Sequence, residues 1–204
     1  MNNPWQEIDL NDYESHMSLE SVYQLQAMNE LMKEQFAAHP AESEMILGIA
    51  GGNGLEHIDS QFKTVYGVDI NQNYLTECEK RYPKLKDSLV TICADLLDEN
   101  LRLPHADLIV ANLLIEYIGY EVFGRVIKNV SPAYISCVIQ INTDSSFVSD
   151  SPYLHVFDRL DEVHHQMEED ALIAAMAKIG YKAILQAEKA LPNGKKLVRI
   201  DFSK

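Results

Sequence analysis

Short apolar runs alternate with amphipathic polar segments from residue 45 onward. The apolar runs have strand length and no polar face, which is typical of strands buried in a parallel sheet. They cover residues 45–50, 64–69, 89–93, 107–112 and 134–141. Helical spacing between them predicts helices near 54–62, 72–82 and 116–129. This alternation predicts parallel strands joined by crossover helices that cover both faces of one open sheet.

The C-terminal part of the chain breaks the alternation. An amphipathic segment over about 161–179 predicts a long helix that stops at Gly180. Two strand-like runs follow, 181–190 and 196–202, on either side of an Asn-Gly turn. Asn-Gly between two such runs is a strong β-hairpin signal. The sheet should therefore finish with one reversed strand at or near its edge.

The N-terminal 40 residues are polar with an apolar stripe at helical spacing. The stripe predicts a helix over about 18–36, with Ser18 as its N-cap and Glu20 in its first turn. His39-Pro40 would end this helix. Together the patterns predict an α/β three-layer sandwich with a mostly parallel seven-stranded sheet. We expect one domain over 1–204, with a helical cap (1–40) and a core (45–204).

Composition narrows the function classes. The chain has 204 residues, of which 47% are hydrophobic, and 17 basic against 31 acidic residues give a formal net charge of −14. Such a charge disfavours nucleic acid and anionic membrane surfaces as partners. Cys78, Cys93 and Cys137 are odd in number and far apart, so neither a disulfide framework nor a cysteine metal knuckle is predicted.

The N-terminus has no basic flank with an apolar run, and the longest apolar stretch, 108–118, is too short to span a bilayer. We expect a cytoplasmic protein. The sequence contains no signal for the oligomeric state.

The segment from Met45 to Gly54 is a buried strand that runs into a glycine turn. Gly51, Gly52 and Gly54 would let the backbone turn sharply and approach a ligand, and a helix N-terminus beyond them would offer free N–H groups. The alternative is a tight strand-to-helix turn without a ligand.

Two acids end the next two predicted strands. Asp69 would lie beside the glycine turn, where its carboxylate could accept hydrogen bonds from a ribose diol. Asp95 would lie at the same edge and could accept from an adenine amino group, with Leu96 beside the ring. Each acid could instead cap a loop or helix. Together with the glycine turn they favour a ligand that contains a nucleoside.

From Met45 to Phe202 the chain resembles the class I S-adenosylmethionine-dependent methyltransferases, particularly those acting on small molecules. The glycine turn, Asp69, the segment 94–96 and the strand 106–117 follow in that family's order. The resemblance implies a Rossmann-like sheet with a reversed last strand, and S-adenosyl-L-methionine as the co-substrate. It implies no metal.

The resemblance also assigns roles to residues. Gly52 and Gly54 would face the methionine part of the cofactor, and Asp69 would hold the ribose hydroxyls. Ile70 would pack on the adenine and Asn112 would line the floor beneath the sulfonium. The full set of expected cofactor residues is Tyr13, Met17, Gly48, Ala50, Gly51, Gly52, Gly54, Asp69, Ile70, Asp95, Leu96 and Asn112.

Two positions depart from the family's pattern. An acidic residue is usual where Gly48 stands, and a glycine is usual where Ala50 stands. Gly48 would leave an amino contact of the cofactor without its side chain, and Ala50 would tighten the turn.

Methyl transfer needs an aligned acceptor and exclusion of water, and a base only where the acceptor loses a proton. Glu116 and Tyr117 follow the fourth strand and are the candidate catalytic residues; their alternative is packing at a helix start. In the cap, Tyr13, His16 or Met17 would touch the cofactor, as in the resembled family, or form an ordinary helix entry.

The segment 142–160 is long for a connection and is a candidate substrate lid, with Tyr153 and His155 in it. His164 with Glu168, and His165 with Glu169, have metal-ligand spacing, but a solvated acidic helix face is favoured over a metal site.

Three hypotheses follow. The first is an enzyme, a methyltransferase with a small-molecule acceptor that the sequence does not identify; a protein side chain stays open as the acceptor. The second is a protein that binds S-adenosylmethionine or its product S-adenosylhomocysteine without turnover, which would be separated from the first by turnover of any acceptor. The third is an NAD-linked oxidoreductase, which fits less well because His57 stands where a dinucleotide motif needs glycine or alanine.

Overall fold

A seven-stranded sheet forms the centre of the protein, as seen in a computed structural model that describes residues 3–58, 62–142 and 147–204. The strand order is β3-β2-β1-β4-β5-β7-β6. Strands β1 to β5 pair in parallel, and β7 runs antiparallel to both β5 and β6. The strands are β1 (Ser43–Leu47), β2 (Thr64–Asp69), β3 (Leu89–Cys93), β4 (Leu108–Asn112), β5 (Tyr134–Ile141), β6 (Lys182–Ala190) and β7 (Lys196–Ser203). The predicted fold class, with its reversed strand next to the edge, is confirmed.

Helices cover both faces of the sheet. The α-helices are α1 (Leu10–Ser18), α2 (Gln24–Ala38), α3 (Gln72–Arg81), α4 (Ile115–Val130) and α5 (Glu169–Ala177). Short 3-10 helices cover Pro4–Gln6, Leu55–His57, Pro83–Leu85 and Leu154–Glu162. In the described part of the chain, no helix is long and apolar enough to cross a membrane.

The central strands are apolar on both faces because each face is covered. On one side, Ile109 packs with Phe123 and Ile127 of α4. On the other side, Val110 packs with Phe36 of α2 and Leu75 of α3. This burial explains why the sequence shows continuous apolar runs instead of alternation.

The N-terminal region contains two helices, so the prediction of one helix capped by Ser18 is wrong. Ser18 is the last residue of α1, and its Oγ donates to the carbonyl of Ser15 (3.2 Å). The chain then turns, and Tyr23 adopts a left-handed conformation (φ 57°) directly before α2. Left-handed backbone cannot continue a right-handed helix.

Two other predicted helices are shorter than expected. The helix near 54–62 is one 3-10 turn over Leu55–His57, and 59–61 lie outside the described residues. The helix over 161–179 is α5, which starts only at Glu169. The backbone N–H of His165 donates to the Glu116 carbonyl (2.6 Å), and that of Glu168 to the Tyr120 hydroxyl (2.8 Å). These bonds to α4 replace the helical bonds that the spacing predicts.

The carboxyl ends of β1, β2, β3 and β4 meet at one edge of the sheet. The N-terminal segment crosses this edge and is tied to it by two hydrogen bonds. Asn71 Nδ2 donates to the carbonyl of Trp5 (3.0 Å), and the Tyr74 hydroxyl donates to the carbonyl of Ile8 (2.9 Å). The N-terminal segment therefore covers this edge of the sheet and encloses the site described next.

Candidate functional site

The turn after β1 is held against the end of β2. The backbone N–H of Gly48 donates to the Val68 carbonyl (2.8 Å), and that of Ala50 donates to Asp69 Oδ2 (2.9 Å). Gly48 (φ 72°) and Ala50 (φ 47°) both have left-handed backbone. A glycine is the unstrained choice in that region, so Ala50 is strained where the resembled family has glycine.

Gly52 and Gly54 provide space for helix packing. A Cβ added to Gly52 would lie 2.8 Å from Cys78 Sγ, and one added to Gly54 would lie 2.8 Å from Met32 Sδ. They let α3 and α2 approach the turn. Neither glycine borders the three cavities described below.

The first cavity lies at the carboxyl ends of β1, β2 and β4 and comprises about 710 Å³ of empty space, counting its open mouth. That size is ordinary for a small-molecule site. Its lining includes nine residues that the sequence singles out: Tyr13, Gly48, Ala50, Asp69, Ile70, Asp95, Leu96, Asn112 and Tyr117. It also includes Asn3, Trp5 and Tyr74, which the sequence analysis missed.

Asp69 is the best-placed acid of this cavity. Its Oδ2 accepts from Ala50 and its Oδ1 accepts from the backbone N–H of Asn71 (2.9 Å). Burial raises the pKa of its carboxyl, while these two N–H donors act in the opposite direction. Each oxygen has a second lone pair, so the carboxylate can still accept from a ligand hydroxyl.

Asp95 is exposed at the rim of the same cavity. Its Oδ1 accepts from the backbone N–H of Leu97 (2.8 Å), which is the loop-capping bond weighed as an alternative. The cap and a ligand contact are compatible, because the carboxylate has more acceptor sites than this one bond uses.

Asn112 is fixed by an amide pair with Gln35 of α2. Asn112 Nδ2 donates to Gln35 Oε1 (2.8 Å), and Gln35 Nε2 donates to Asn112 Oδ1 (2.9 Å). Gln35 is fully buried and was missed by the sequence analysis, because it lies on the apolar side of a helix with no nearby motif.

The second cavity adjoins the first beneath α1. Trp5, Tyr13, Leu113 and Tyr117 line both cavities, so the two spaces share a wall. Trp5 contacts the rings of Tyr13 (centroids 5.7 Å apart) and Tyr117 (4.9 Å) edge to face. Trp5 was also missed, because it lies outside the segment of resemblance. Further lining residues of the second cavity are His16, Met17, Gln24, Glu116, Gln140, Phe147, Val148, Phe157, Leu160 and His164.

Glu116 lies in the wall of the second cavity at the start of α4. It is 4% exposed, and its Oε1 accepts from the backbone N–H of Gln140 (2.8 Å). Its Oε2 is buried and has no hydrogen-bond partner in the described part of the chain. Burial raises the pKa of its carboxyl to about 7. A buried carboxyl with this pKa can exchange a proton near neutral pH.

The third cavity extends from the glycine turn to α1 and is lined by Glu14, Met17, Gly48 and Gly51, among others. Arg81 of α3 forms a two-pronged ion pair with Glu14 (Nη1–Oε1 2.5 Å, Nη2–Oε2 3.0 Å). The pair lies directly over Gly51, since an added Cβ there would be 2.5 Å from Glu14 Oε1. Gly48 stands where the resembled family has an acid. A Cβ added to Gly48 would lie 3.3 Å from Leu114 Cδ1, so a side chain here would be in tight contact with Leu114.

The candidate lid and the histidine pair have structural contacts. Tyr153 packs near Phe157 over Ile8, and His155 is exposed. Residues 143–146 of the predicted lid lie outside the described residues.

His164 stacks on Phe147 (3.8 Å), and burial lowers the pKa of its imidazole. Within residues 3–58, 62–142 and 147–204, no group of three His, Cys, Asp or Glu side chains could hold a metal ion.

The fold is a Rossmann-like α/β sandwich, and comparison with known proteins narrows the class. Residues 46–132 match the family model described as a methyltransferase domain. This segment contains the glycine turn, Asp69, Asp95, Asn112 and Glu116. The match confirms the resemblance to the S-adenosylmethionine-dependent methyltransferases. A search of curated proteins finds no match.

Solved structures share the fold at low identity. The N-methyltransferase NodS from Bradyrhizobium japonicum, in complex with S-adenosylhomocysteine, is 10% identical, with a TM-score of 0.69 over 100% of this chain and 99% of that chain. Magnesium protoporphyrin IX methyltransferase from Synechocystis PCC 6803, with the same compound bound, is 11% identical (TM-score 0.64; 90% and 84% covered). The [4+2]-cyclase SpnF is 9% identical (TM-score 0.65; 87% and 80% covered).

Proposed function

We propose that this protein is a methyltransferase that moves the methyl group of S-adenosylmethionine to a small-molecule acceptor. The observation that carries the proposal is the arrangement of the three cavities. Tyr13 and Leu113 line all three, so the cavities converge at one point of the sheet edge. The methyl donor and its acceptor must meet at such a point for an in-line displacement.

The first cavity suits the adenosine part of the cofactor. Asp69 would accept hydrogen bonds from the ribose hydroxyls, and Asp95 would accept from the adenine amino group. Ile70 and Leu96 would contact the faces of the base. These roles are those of a nucleoside site at the carboxyl edge of an open α/β sheet.

The third cavity suits the amino acid part of the cofactor, which carries one positive and one negative charge. Glu14, which lines this cavity, would hold the ammonium group, and Arg81 keeps the Glu14 carboxylate in place through its two forked donors. Glu14 thereby supplies the acid that the resembled family has where Gly48 stands. The sulfonium supplies an activated methyl group, and the chain's task is to align the acceptor and exclude water.

Calorimetric titration with S-adenosylhomocysteine tests this proposal, with NAD as a second ligand. We expect micromolar binding that Asp69→Ala weakens at least tenfold, or about 1.4 kcal/mol. Asp87→Ala, at an exposed turn position away from the cavities, is the matched control and should bind as the unmodified protein does. Absence of binding, or NAD binding alone, would refute the proposal.

A second titration tests the placement of the amino acid part. Glu14→Gln should weaken binding of S-adenosylhomocysteine at least fivefold and leave methylthioadenosine, which lacks the amino acid group, unchanged. Equal losses for both ligands would contradict the role of Glu14.

The alternative function is binding of the cofactor without methyl transfer. One structural neighbour, SpnF, is named as a cyclase and not as a methyltransferase, so this fold does not by itself imply methyl transfer. Formation of S-adenosylhomocysteine that depends on an added acceptor would decide for methyl transfer.

A further inference from the structure

We propose that the second cavity is the acceptor site, that it takes an uncharged aromatic molecule with one O–H or N–H nucleophile, and that Glu116 Oε2 accepts the proton of that nucleophile. The inference rests on the proposed function, because it needs a methyl donor in the neighbouring cavities.

The walls of the second cavity are mainly aromatic and aliphatic. Trp5, Tyr117 and Phe157 present rings, and Met17 and Leu160 add apolar surface. Flat apolar walls gain most from a flat apolar ligand, which buries its faces against them.

Two buried side-chain atoms of residues that line this cavity have no hydrogen-bond partner among the described residues, while several others are engaged. Gln140 Nε2 donates to Asn142 Oδ1 (2.6 Å) and to the Phe147 carbonyl (2.9 Å), and Gln24 donates to Gln140 Oε1. His16 Nδ1 lies 2.7 Å from Ser151 Oγ. The two unpartnered atoms are Trp5 Nε1, which is a donor, and Glu116 Oε2, which is the acceptor. A buried carboxylate oxygen without a donor is costly, and a ligand O–H or N–H would satisfy it.

The charges around the cavity disfavour an anionic acceptor. None of the described residues that line it is Lys or Arg. Lys195 is close, but its Nζ donates to the Phe147 carbonyl (2.7 Å). A phosphate or carboxylate placed here would face the Glu116 carboxyl without a lining cation, so it would be desolvated and repelled.

The transfer step is balanced in atoms and charge. The acceptor oxygen or nitrogen forms a bond to the methyl carbon as the sulfur–carbon bond of the donor breaks. The electron pair of that bond stays on sulfur, which becomes neutral. The acceptor proton goes to Glu116 Oε2 and later to solvent. The position of Tyr13 and Tyr117 in both the first and the second cavity keeps acceptor and donor in adjacent spaces.

Several ionisable groups surround Glu116, and burial shifts the pKa of most of them. Burial lowers the pKa of His16 and His164, and it raises the pKa of the phenols and of Cys137. Comparison with Glu116→Gln, which removes this one carboxyl, therefore assigns a change in acceptor affinity between about pH 6.5 and 8 to Glu116. The groups around Glu116 are Tyr13 and His16 on α1, Tyr117 and Tyr120 on α4, Cys137 on β5, and His164 and His165 before α5. Lys195, before β7, acts on His16 and His164.

The test is calorimetric titration of the protein saturated with S-adenosylhomocysteine. Four probes share one ring system and differ in one group: naphthol, aminonaphthalene, naphthoate and naphthyl phosphate. We expect the first two to bind at least tenfold more tightly than the two anions. Naphthol affinity should rise as the pH increases from about 6.5 to 8, because the ionised carboxylate is the better acceptor.

Glu116→Gln is the informative variant. Its Oε1 can still accept from Gln140, so the fold and the affinity for S-adenosylhomocysteine should be preserved. Naphthol affinity should fall at least tenfold, and its pH dependence should vanish, because an amide neither ionises nor accepts the proton. Glu121→Gln, on the exposed side of the same helix, should behave as the unmodified protein does in both titrations.

The outcomes separate the two levels of inference. If S-adenosylhomocysteine itself does not bind, the proposed function and this inference are both refuted. If it binds, the acceptor assignment alone is refuted by any of three results: no probe binds, the anions bind as tightly as naphthol, or Glu116→Gln leaves naphthol affinity and its pH dependence unchanged.

Discussion

Glu44 of β1 should make this protein less stable as the pH rises, and replacing it with glutamine should remove that loss. Its side chain is fully buried between neighbouring strands, where it pairs in register with Val65 and Leu108. Neither carboxylate oxygen has a hydrogen-bond partner in the described part of the protein. Burial raises the pKa of this carboxyl well above its usual value, so the folded protein holds it protonated.

The magnitude follows from proton linkage. Above about pH 4.5 the unfolded chain ionises this glutamate while the folded chain keeps its proton, so the free energy of unfolding falls with rising pH. The slope is at most about 1.4 kcal/mol per pH unit until the folded-state pKa is reached. Glu44→Gln has the same shape and no charge in either state. The stability of the variant relative to the unmodified protein should therefore increase by up to that amount per unit between about pH 5 and 7.

The assay is urea unfolding at several pH values, with the difference in unfolding free energy plotted against pH. Other ionisable groups contribute equally to both proteins and cancel in this difference. Glu42→Gln is the control, since Glu42 forms an exposed ion pair with Lys63 (2.7 Å) and its loss should cost less than about 1 kcal/mol. Two parallel pH curves for Glu44→Gln and the unmodified protein would refute the reasoning.

Three further substitutions have defined outcomes in the same unfolding assay. Ala50→Gly should raise the free energy of unfolding by up to about 1 kcal/mol, because it relieves left-handed strain (φ 47°); a decrease would contradict this. Gly54→Ala should lower it by about 2 kcal/mol through left-handed strain and contact with Met32 Sδ at 2.8 Å, and an unchanged midpoint would contradict this. Asp201→Asn should cost about 3–5 kcal/mol at neutral pH, because it leaves the 3% exposed Arg199 without its buried partner. The lowered pKa of Asp201 means that this cost should shrink as the pH falls through that pKa, and a pH-independent cost would be contrary to expectation.

The strands could be predicted closely, and for one reason. β2, β3 and β5 have the bounds expected from the sequence, and the other strands differ by a few residues at their ends. In β1, β4 and β5 the continuous apolar runs arise because helices bury both faces of the sheet, so burial is encoded locally in composition. The expectation of burial is wrong for β3, which is an edge strand with Val90 45% exposed. The hairpin could be predicted equally well, because the Asn-Gly turn imposes its geometry on the adjacent residues.

The helix starts were less predictable, since distant contacts decide them. Ser18 has the side chain of an N-cap but ends α1, and Tyr23 takes the left-handed conformation that breaks the stripe. The start of α5 depends on hydrogen bonds from His165 and Glu168 to α4. Nothing within a short window of sequence reports a partner about fifty residues away.

The sequence by itself determined the fold class and the polar residues at the strand ends, because apolar runs mark the strands and Asp69, Asp95 and Asn112 come at or just after the ends of those runs. The tertiary structure alone decided which side chains surround these sheet-edge residues. It brings Trp5 and Glu14 over the edge and leaves Glu116 Oε2 buried without a partner among the described residues. These features depend on packing between segments far apart in the chain, and the free energy of a buried charge depends on its whole surroundings.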